Sequence, residues 1–155
     1  MAINYHPPRG TILICDFKMF KTPEITKRRP VIVISPNFKS RDNLCTVIPL
    51  SKSVPKRIEP YHHKMFFNPL LPEPYTNPFS WVLGDMIYTV GFERLKSLSN
   101  GRDEQGKRIY DARILDATTM DIVMNCVRNG LGIKTWQHNI CDYNVTTLAL
   151  RKHQA

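Results

Sequence analysis

Three consecutive cations, Lys27, Arg28 and Arg29, precede Pro30 and the apolar run 31–34. The β-branched run predicts a strand that is buried on both faces, with the cations at its entrance. Because proline biases the preceding residue towards an extended backbone, we expect Arg29 to be held in one place. A guanidinium is always charged and can donate two hydrogen bonds to one phosphate or carboxylate. We therefore expect an anion-binding site around Arg29.

The net charge of +9 is concentrated in one part of the chain. Residues 18–64 hold 11 of the 22 Lys and Arg residues but 3 of the 13 Asp and Glu residues, a local balance of +8. A basic segment of this kind predicts a polyanionic partner, with nucleic acid as the first choice. The alternative is a basic protein that has no such partner.

Two adjacent histidines, His62 and His63, follow Tyr61 in the same basic segment. Imidazole titrates near neutral pH, so either histidine could give or take a proton in a reaction. Since adjacent strand residues face opposite ways, at most one of them faces a given site. His62 is the candidate, because Tyr61 and Lys64 could complete a groove around it. The alternative is that both histidines are structural.

The cysteines predict no metal or redox chemistry. Cys15, Cys45, Cys126 and Cys141 are widely spaced and form no CxxC pair, which indicates free thiols in a reducing compartment. No clustered ligands suggest a zinc site, so we expect neither a metal nor a cofactor. No apolar stretch is long enough to span a membrane, and residues 1–10 lack the apolar run of a signal peptide. We therefore expect a cytoplasmic protein.

Short strands separated by prolines and turns must position these side chains. The predicted strands are 11–17, 31–34, 44–50, an irregular 57–67, 81–83 and 86–90, with Gly84 and Asp85 as a bend between the last two. A helical turn within 92–98 and a hairpin-like loop at 100–106 follow. This pattern predicts a small, strongly bent sheet.

One helix is predicted from Asp116 to about Asn129, with Asp116 as its N-cap and Gly130 as a left-handed stop. Its apolar stripe, which we expect to pack on the core, comprises Leu115, Thr119, Ile122, Val123, Cys126 and Val127. Many short strands with a late helix predict a mostly β, α+β fold: an SH3-like small barrel with helical additions. We expect a single domain over 1–155, with its core at about 8–132 and a C-terminal extension at 133–155.

In these features the chain resembles the MazF/PemK family of toxin ribonucleases. Four stretches carry the resemblance, in the family's order. The first is Gly10-Thr11-Ile12, which leads to Asp16-Phe17, and the second is Glu24 five residues before Arg29-Pro30, as in the family's GSEQxGxRP loop. The third is Val47-Ile48-Pro49-Leu50-Ser51, where the family has a strand ending in Pro-x-Thr. The fourth is Gly84 to Val90 with Arg94-Leu95, which is similar to the family's Asp-Gln-x-x-Thr-x-x-x-x-Arg-Leu. The helix at 116–129 takes the position of the family's C-terminal helix.

The resemblance implies a homodimer of SH3-like barrels of the MazF/PemK/CcdB type, which cleaves single-stranded RNA without a metal ion. It also implies a toxin–antitoxin pair, in which an acidic antitoxin segment lies over the basic groove. The family's arginine before the proline corresponds to Arg29, its threonine after the strand-ending proline to Ser51, and its loop glutamate to Glu24. Asp85 corresponds to a family aspartate near the RNA groove.

The chain departs from the family in four places. Ser51 replaces the threonine but keeps a hydroxyl, and the loop before Arg29 lacks the family's glycines. Leu83 stands where some plasmid-borne members have an arginine, and the segment 52–80 is longer. These departures bear on sequence specificity and on the assignment of acid and base.

In the implied reaction, the RNA 2′-hydroxyl attacks the adjacent phosphate. The enzyme must take a proton, stabilise the charged transition state and give a proton to the leaving 5′-oxygen. We expect Arg29 to stabilise the transition state, Ser51 to donate to the same phosphate and Glu24 to be a candidate base. Asp85 would orient Arg29 or the base. The predicted RNA-binding residues are Lys27, Arg28, Lys52 and Arg57 for the backbone, and Phe20, Tyr61 and Phe66 for stacking on bases.

Each assignment has a structural alternative. Glu24 could be a solvated ion-pair partner, Ser51 a turn residue, and Arg29 half of a structural ion pair with Asp85 or Glu24. Two other functions are alternatives: a non-catalytic toxin of the same fold that acts like a gyrase poison by binding protein, and an RNA-binding domain without activity.

Overall fold

The computed structural model describes residues 2–38 and 40–133. The predicted C-terminal extension, apart from residue 133, and Cys141 lie outside these ranges. Within them, no helix combines the length and the apolar character that crossing a membrane requires.

Short strands dominate the described chain, and a single helix follows them. The elements are β1 (Ile12–Cys15), β2 (Arg29–Val33), β3 (Leu44–Ser51), β4 (His62–Phe66), β5 (Phe79–Leu83), β6 (Tyr88–Gly91), a 3₁₀ turn (Phe92–Arg94), β7 (Leu95–Lys96), β8 (Leu98–Arg102), β9 (Arg108–Asp111) and α1 (Ala117–Gly130). The predicted mostly β architecture with a C-terminal helix is confirmed. The irregular strand 57–67 is shorter than expected, because regular pairing begins only at His62.

The strands form an antiparallel sheet in the order β4-β5-β3-β2-β1-β7, while β8 and β9 make a separate hairpin. The long strand β3 pairs with β2 along one side. Along its other side, the first half pairs with β6 as far as Val47, and its end pairs with β5 from Leu50 onwards. Pro49 lies between these two ladders, where a residue without an N–H is tolerated.

Two hydrophobic clusters lie on opposite faces of this sheet. In β2, Val31 and Val33 belong to one cluster and Ile32 to the other, as the alternation of side chains along a strand requires. All three side chains are fully buried, which confirms the prediction that this strand is covered on both faces. Rigid packing on both sides fixes the place where β2 begins.

Helix α1 covers one of the two clusters. Asp116 caps it as predicted, because its carboxylate accepts hydrogen bonds from the N–H and hydroxyl of Thr119, at 2.9 and 2.8 Å. Val123, Cys126 and Val127 are buried in the stripe. The inclusion of Ile122 is wrong: it is 39% exposed, and Met120, one turn before Val123, packs in the core instead.

The end of α1 also differs from the expectation. Gly130 belongs to the helix, and the left-handed residue is Gly132, with φ of 68°. Gly130 is needed for a close approach: a Cβ there would lie 2.6 Å from the Gly84 carbonyl oxygen and 2.7 Å from the Asp85 Cα. The helix end therefore packs directly on the bend between β5 and β6.

The thiols of Cys15, Cys45 and Cys126 are free and buried, as predicted. Burial raises the pKa of Cys15 to about 12, so this thiol stays protonated and inert at neutral pH.

Candidate anion-binding cleft

A cleft of about 500 Å³ lies where β2 begins and β3 ends. Its lining comes from three parts of the chain: Lys27, Arg28, Arg29 and Pro30 at the entrance of β2; Leu50, Ser51, Lys52 and Ser53 at the end of β3; and Pro74, Tyr75, Asn77 and Ser80 from the β4–β5 connection and β5. The lining includes four cations and, among the described residues, no carboxylate or imidazole. Its chemistry suits an anionic ligand.

The register between β2 and β3 explains why Arg29 and Ser51 meet. Val31 pairs with Pro49 in an antiparallel ladder. Extended by two residues towards the start of β2 and the end of β3, the same register puts Arg29 opposite Ser51. Side chains two residues apart face the same side of a sheet, so both point the way that Val31 and Pro49 do.

The guanidinium of Arg29 is partly sequestered from solvent. Its Nε is buried and has no hydrogen-bond partner among the described residues. Burial lowers the pKa of Arg29, and the hydroxyls of Tyr88 and Tyr75 act against that shift. A buried donor without an acceptor costs about 1–3 kcal/mol, and more when it is charged. An anion in the cleft would supply an acceptor and relieve this cost.

The structural alternative for Arg29 is not observed. Within the described residues, the ion pairs are Arg28–Asp16, Arg57–Glu59 and Arg113–Asp111. Neither Glu24 nor Asp85 pairs with Arg29 there.

Ser51 is both a turn residue and part of the cleft. Its hydroxyl oxygen accepts a hydrogen bond from the Ser53 N–H at 3.2 Å. The same oxygen lies 3.5 Å from the Ser53 carbonyl, which is long for a bond donated by a hydroxyl. The hydroxyl is thus held in place, with its proton available to a ligand.

Arg28 links the β1–β2 loop to the end of β1. Its Nε donates to the Asp16 carboxylate at 2.7 Å. Burial would raise the pKa of Asp16, but hydrogen bonds from the Lys18 N–H and from Arg28 outweigh it and lower that pKa. The neighbouring Lys27 and, across the cleft, Lys52 are exposed. Asp16 therefore fixes one of the four cations, and the sequence reasoning did not anticipate this contact.

Glu24 does not line the cleft. Its exposed carboxylate accepts a hydrogen bond from the Lys21 N–H at 3.1 Å, and its own N–H donates to the Lys21 carbonyl at 2.8 Å. The side chain thus closes a turn within the loop that leads to Lys27.

His62, Tyr61 and Arg57 form a separate group at the start of β4. The Nδ1 of His62 accepts the Glu59 N–H at 3.2 Å, and its ring meets Tyr61 edge-on at 4.5 Å. Arg57 pairs with the Glu59 carboxylate at 2.6 Å. Because β4 is the edge strand furthest from β2 in this part of the sheet, the group lies outside the cleft.

Asp85 and Phe20 also lie outside the cleft. Asp85 is exposed in the bend against which the end of α1 packs. Phe20 packs on Phe17 and Tyr88, and the guanidinium of Arg94 lies 5.2 Å from the centre of its ring. The structure therefore brings together Arg29, Ser51, Lys27, Arg28 and Lys52, and does not bring Glu24, His62, Asp85, Arg57, Tyr61 or Phe20 to them.

Sequence reasoning missed the third wall of the cleft, which the β4–β5 connection supplies. The Phe67 N–H donates to the Pro78 carbonyl at 3.0 Å and closes the base of this loop. Within it, the Tyr75 N–H donates to the Pro72 carbonyl at 2.9 Å, and Tyr75 is half-buried. The available signal was a tyrosine among four prolines in 68–80, since prolines restrict a loop to few paths.

No three His, Cys, Asp or Glu side chains in the described part of the chain are grouped closely enough to hold a metal ion. The chemistry that the cleft can offer comes from its guanidinium, ammonium and hydroxyl groups.

Comparison with known proteins identifies one matching protein family. The sequence model of one family, described as a PemK-like, MazF-like toxin of type II toxin–antitoxin systems, matches residues 8–131. No curated protein matches the chain in sequence.

Solved structures share its fold at low sequence identity. MazF (Form-I) from Deinococcus radiodurans is 17% identical, with a TM-score of 0.56; the alignment covers 83% of this chain and 99% of that one. An endoribonuclease in complex with its cognate antitoxin from a mycobacterial species is 20% identical, with a TM-score of 0.53 and coverage of 83% and 98%. The predicted fold class is confirmed by this similarity.

Proposed function

The chain belongs to the PemK-like, MazF-like toxin family of type II toxin–antitoxin systems, and from this premise we propose that it is an endoribonuclease that cleaves single-stranded RNA in the cleft of Arg29 and Ser51. One observation carries the proposal: the buried Arg29 Nε lacks an acceptor among the described residues, in a cleft lined by four cations. A bridging RNA phosphate has the charge and the oxygens that this donor requires.

The proposed reaction needs no metal. The 2′-hydroxyl of one nucleotide attacks the adjacent phosphate, the bond to the 5′-oxygen breaks, and the products are a 2′,3′-cyclic phosphate and a 5′-hydroxyl. Arg29 stabilises the negative charge that grows on the phosphate oxygens in the transition state. Ser51, opposite Arg29, donates its hydroxyl proton in a hydrogen bond to the same phosphate.

Glu24 is kept as the proposed base. Its loop runs directly into Lys27, Arg28 and Arg29, and its exposed carboxylate is held by one backbone N–H of that loop. Like Glu24, His62 and Asp85 lie outside the cleft, but neither belongs to the loop that leads into Arg29, and His62 is engaged by the Glu59 N–H.

The remaining basic and aromatic residues have binding roles in this proposal. Lys27, Arg28 and Lys52 hold the RNA backbone at the cleft. Arg57 and Tyr61 would contact RNA beyond the cleft, on the side of β4. Phe20 would offer the exposed part of its ring near the β1–β2 loop.

We propose two protein partners as well: a second copy of the chain, forming a homodimer, and an antitoxin. One of the similar solved structures is an endoribonuclease bound to its cognate antitoxin. An acidic antitoxin segment would neutralise this chain by covering the four cations of the cleft.

The decisive experiment incubates the purified protein with mRNA in EDTA and maps the new 5′ ends. Cleavage by the wild type, lost in Arg29→Ala and retained in Arg128→Ala on the exposed face of α1, is the expected result. No cleavage by the wild type contradicts the enzyme and would favour a toxin that acts by binding protein. Cleavage that survives Arg29→Ala contradicts the assignment of the site.

A further inference from the structure

A phenol shares the cleft with Arg29 and Ser51. We propose that Tyr75 is the general acid of this cleft, which gives its phenolic proton to the 5′-oxygen that leaves when the RNA chain breaks. This inference rests on the proposed endoribonuclease function. It names the group that gives a proton to the leaving 5′-oxygen, since none of the residues predicted from the sequence supplies such a donor in the cleft.

The composition of the cleft points to Tyr75. Its described lining has no carboxylate or imidazole, the usual acids of phosphate chemistry. Arg29 does not release a proton in proteins, and serine hydroxyls are far weaker acids than a phenol. The ammonium groups of Lys27 and Lys52 are exposed on flexible stems and serve the RNA backbone.

Tyr75 is held both at its backbone and at its ring. Its N–H donates to the Pro72 carbonyl at 2.9 Å, and its half-buried ring packs on the hydrophobic cluster that α1 covers. Asn77 secures the loop further along, because its Nδ2 donates to the Phe79 carbonyl at 2.8 Å. A general acid must be held in a fixed place within hydrogen-bond reach of the atom that it protonates. The packed ring and the bonded backbone of Tyr75 meet the need for a fixed place.

Two guanidinium groups act on the phenol. Burial raises the pKa of Tyr75 above its ordinary value, while Arg28 and Arg29 lower it. The net shift is upward, so the hydroxyl keeps its proton at neutral pH, which is the state that an acid needs. The tyrosinate left after transfer would be stabilised by the same guanidinium groups.

The step balances without a further reactant. The proposed base takes the proton of the 2′-hydroxyl as the bond from the 2′-oxygen to phosphorus forms. The bond from phosphorus to the 5′-oxygen breaks, and that oxygen receives the proton of Tyr75. Water then returns a proton to the tyrosinate, and the base loses its proton to solvent.

A purely structural role for Tyr75 is the competing explanation, since its ring packs on the core. Tyr75→Phe keeps that ring and removes only the hydroxyl. Tyr110→Phe, at a residue that is 46% exposed outside the cleft, is the matched control. Thermal unfolding of both variants should match that of the wild type.

The test compares two RNA substrates that carry the mapped cleavage site. One has the natural 5′-oxygen at the scissile bond, and the other has a bridging 5′-sulfur, which leaves as a thiolate without needing a proton. Tyr75→Phe should slow single-turnover cleavage of the oxygen substrate by about 10²–10⁴-fold. Cleavage of the sulfur substrate should stay within a few-fold of the wild-type rate, and Tyr110→Phe should cleave both normally.

Three results would overturn the inference. Equal slowing of both substrates by Tyr75→Phe would show that the hydroxyl positions or binds RNA. Unchanged cleavage of the oxygen substrate would show that it has no role, with the endoribonuclease itself still standing. Failure of the wild type to cleave either substrate would remove the endoribonuclease and this role together.

Discussion

Arg29 and Ser51 line one cleft, and the register that pairs Val31 with Pro49, extended by two residues on each strand, aligns the two residues. The pairing of Val31 with Pro49 sets this register, so the relative position of guanidinium and hydroxyl depends on the sheet and not on a loop. Groups held by a sheet can be placed with the accuracy that stabilisation of a transition state demands.

We expect Arg29→Lys to lower kcat by about 10²–10³-fold, the cost of removing one donor aimed at the developing charge. Lysine keeps the charge but lacks the planar fork that binds two oxygens. Binding of an uncleavable 2′-deoxy substrate should weaken by much less than kcat falls. Steady-state kinetics and fluorescence anisotropy together would check this, and an equal loss of binding and turnover would contradict it.

The lysines of the cleft should act on binding through charge alone. A plot of the logarithm of the binding constant against the logarithm of the salt concentration has a negative slope. In Lys27→Ala or Lys52→Ala, this slope should become less negative by about 0.7 for each phosphate that the protein no longer neutralises. Anisotropy titrations of a single-stranded 2′-deoxy oligonucleotide at several salt concentrations measure this slope. Lys107→Ala, exposed in the β8–β9 hairpin, is the control and should leave the slope unchanged.

At Ser51 the hydroxyl should matter more than the size of the side chain. We expect Ser51→Ala to reduce kcat by about 10–10²-fold, because it removes a hydrogen bond to a charged group, worth about 1.5–3 kcal/mol. Ser51→Thr should keep most of the activity, since it restores a hydroxyl at the same position. Ser99→Ala, exposed on β8, serves as the control. A Ser51→Ala enzyme with full activity would leave Ser51 as a turn residue only.

Asp116 should make helix stability depend on pH. Hydrogen bonds from Thr119 lower the pKa of Asp116 in the folded protein. Because the folded pKa lies below the unfolded value, the cap stabilises the protein above the unfolded pKa, and this contribution disappears as the pH falls through the folded pKa. Urea unfolding should show Asp116→Ala less stable than the wild type at neutral pH. That difference should shrink in acid, and a difference independent of pH would contradict the capping role.

Gly130→Ala should destabilise the fold, although alanine is favoured over glycine within helices by about 1 kcal/mol. A Cβ at this position would lie 2.6 Å from the Gly84 carbonyl oxygen, so either the helix end or the β5–β6 bend must move. We expect a loss of about 1–3 kcal/mol in the free energy of unfolding. Asn125→Ala, at an exposed position of α1, should cost little in the same urea titration.

The positions that the sequence predicted well are set by local rules. Arg29 is placed by the following proline and an apolar strand, and Asp116 by its spacing from Thr119, so neighbouring residues suffice to predict both. The course of 68–78 depends instead on contacts with distant residues, which is why Tyr75 was not anticipated in the lining of the cleft. The position of His62 outside the cleft has a related reason: its type indicates acid–base chemistry, but its place on an edge strand is a property of the sheet order.

The hydrogen bond from the Phe67 N–H to the Pro78 carbonyl lies at the base of the β4–β5 connection, where the ladders end and a loop outside the strands begins. On one side of the cleft, substitutions at Arg29 or Ser51 alter residues that belong to the ladders. On the other side, residues between Phe67 and Pro78 lie outside the strands, so exposed ones such as Glu73 and Thr76 can vary while the ladders and the packed ring of Tyr75 stay in place. In the proposed ribonuclease, strand residues that bind the phosphate beside a loop rim that tolerates substitution would allow base preference to change without refolding of the domain.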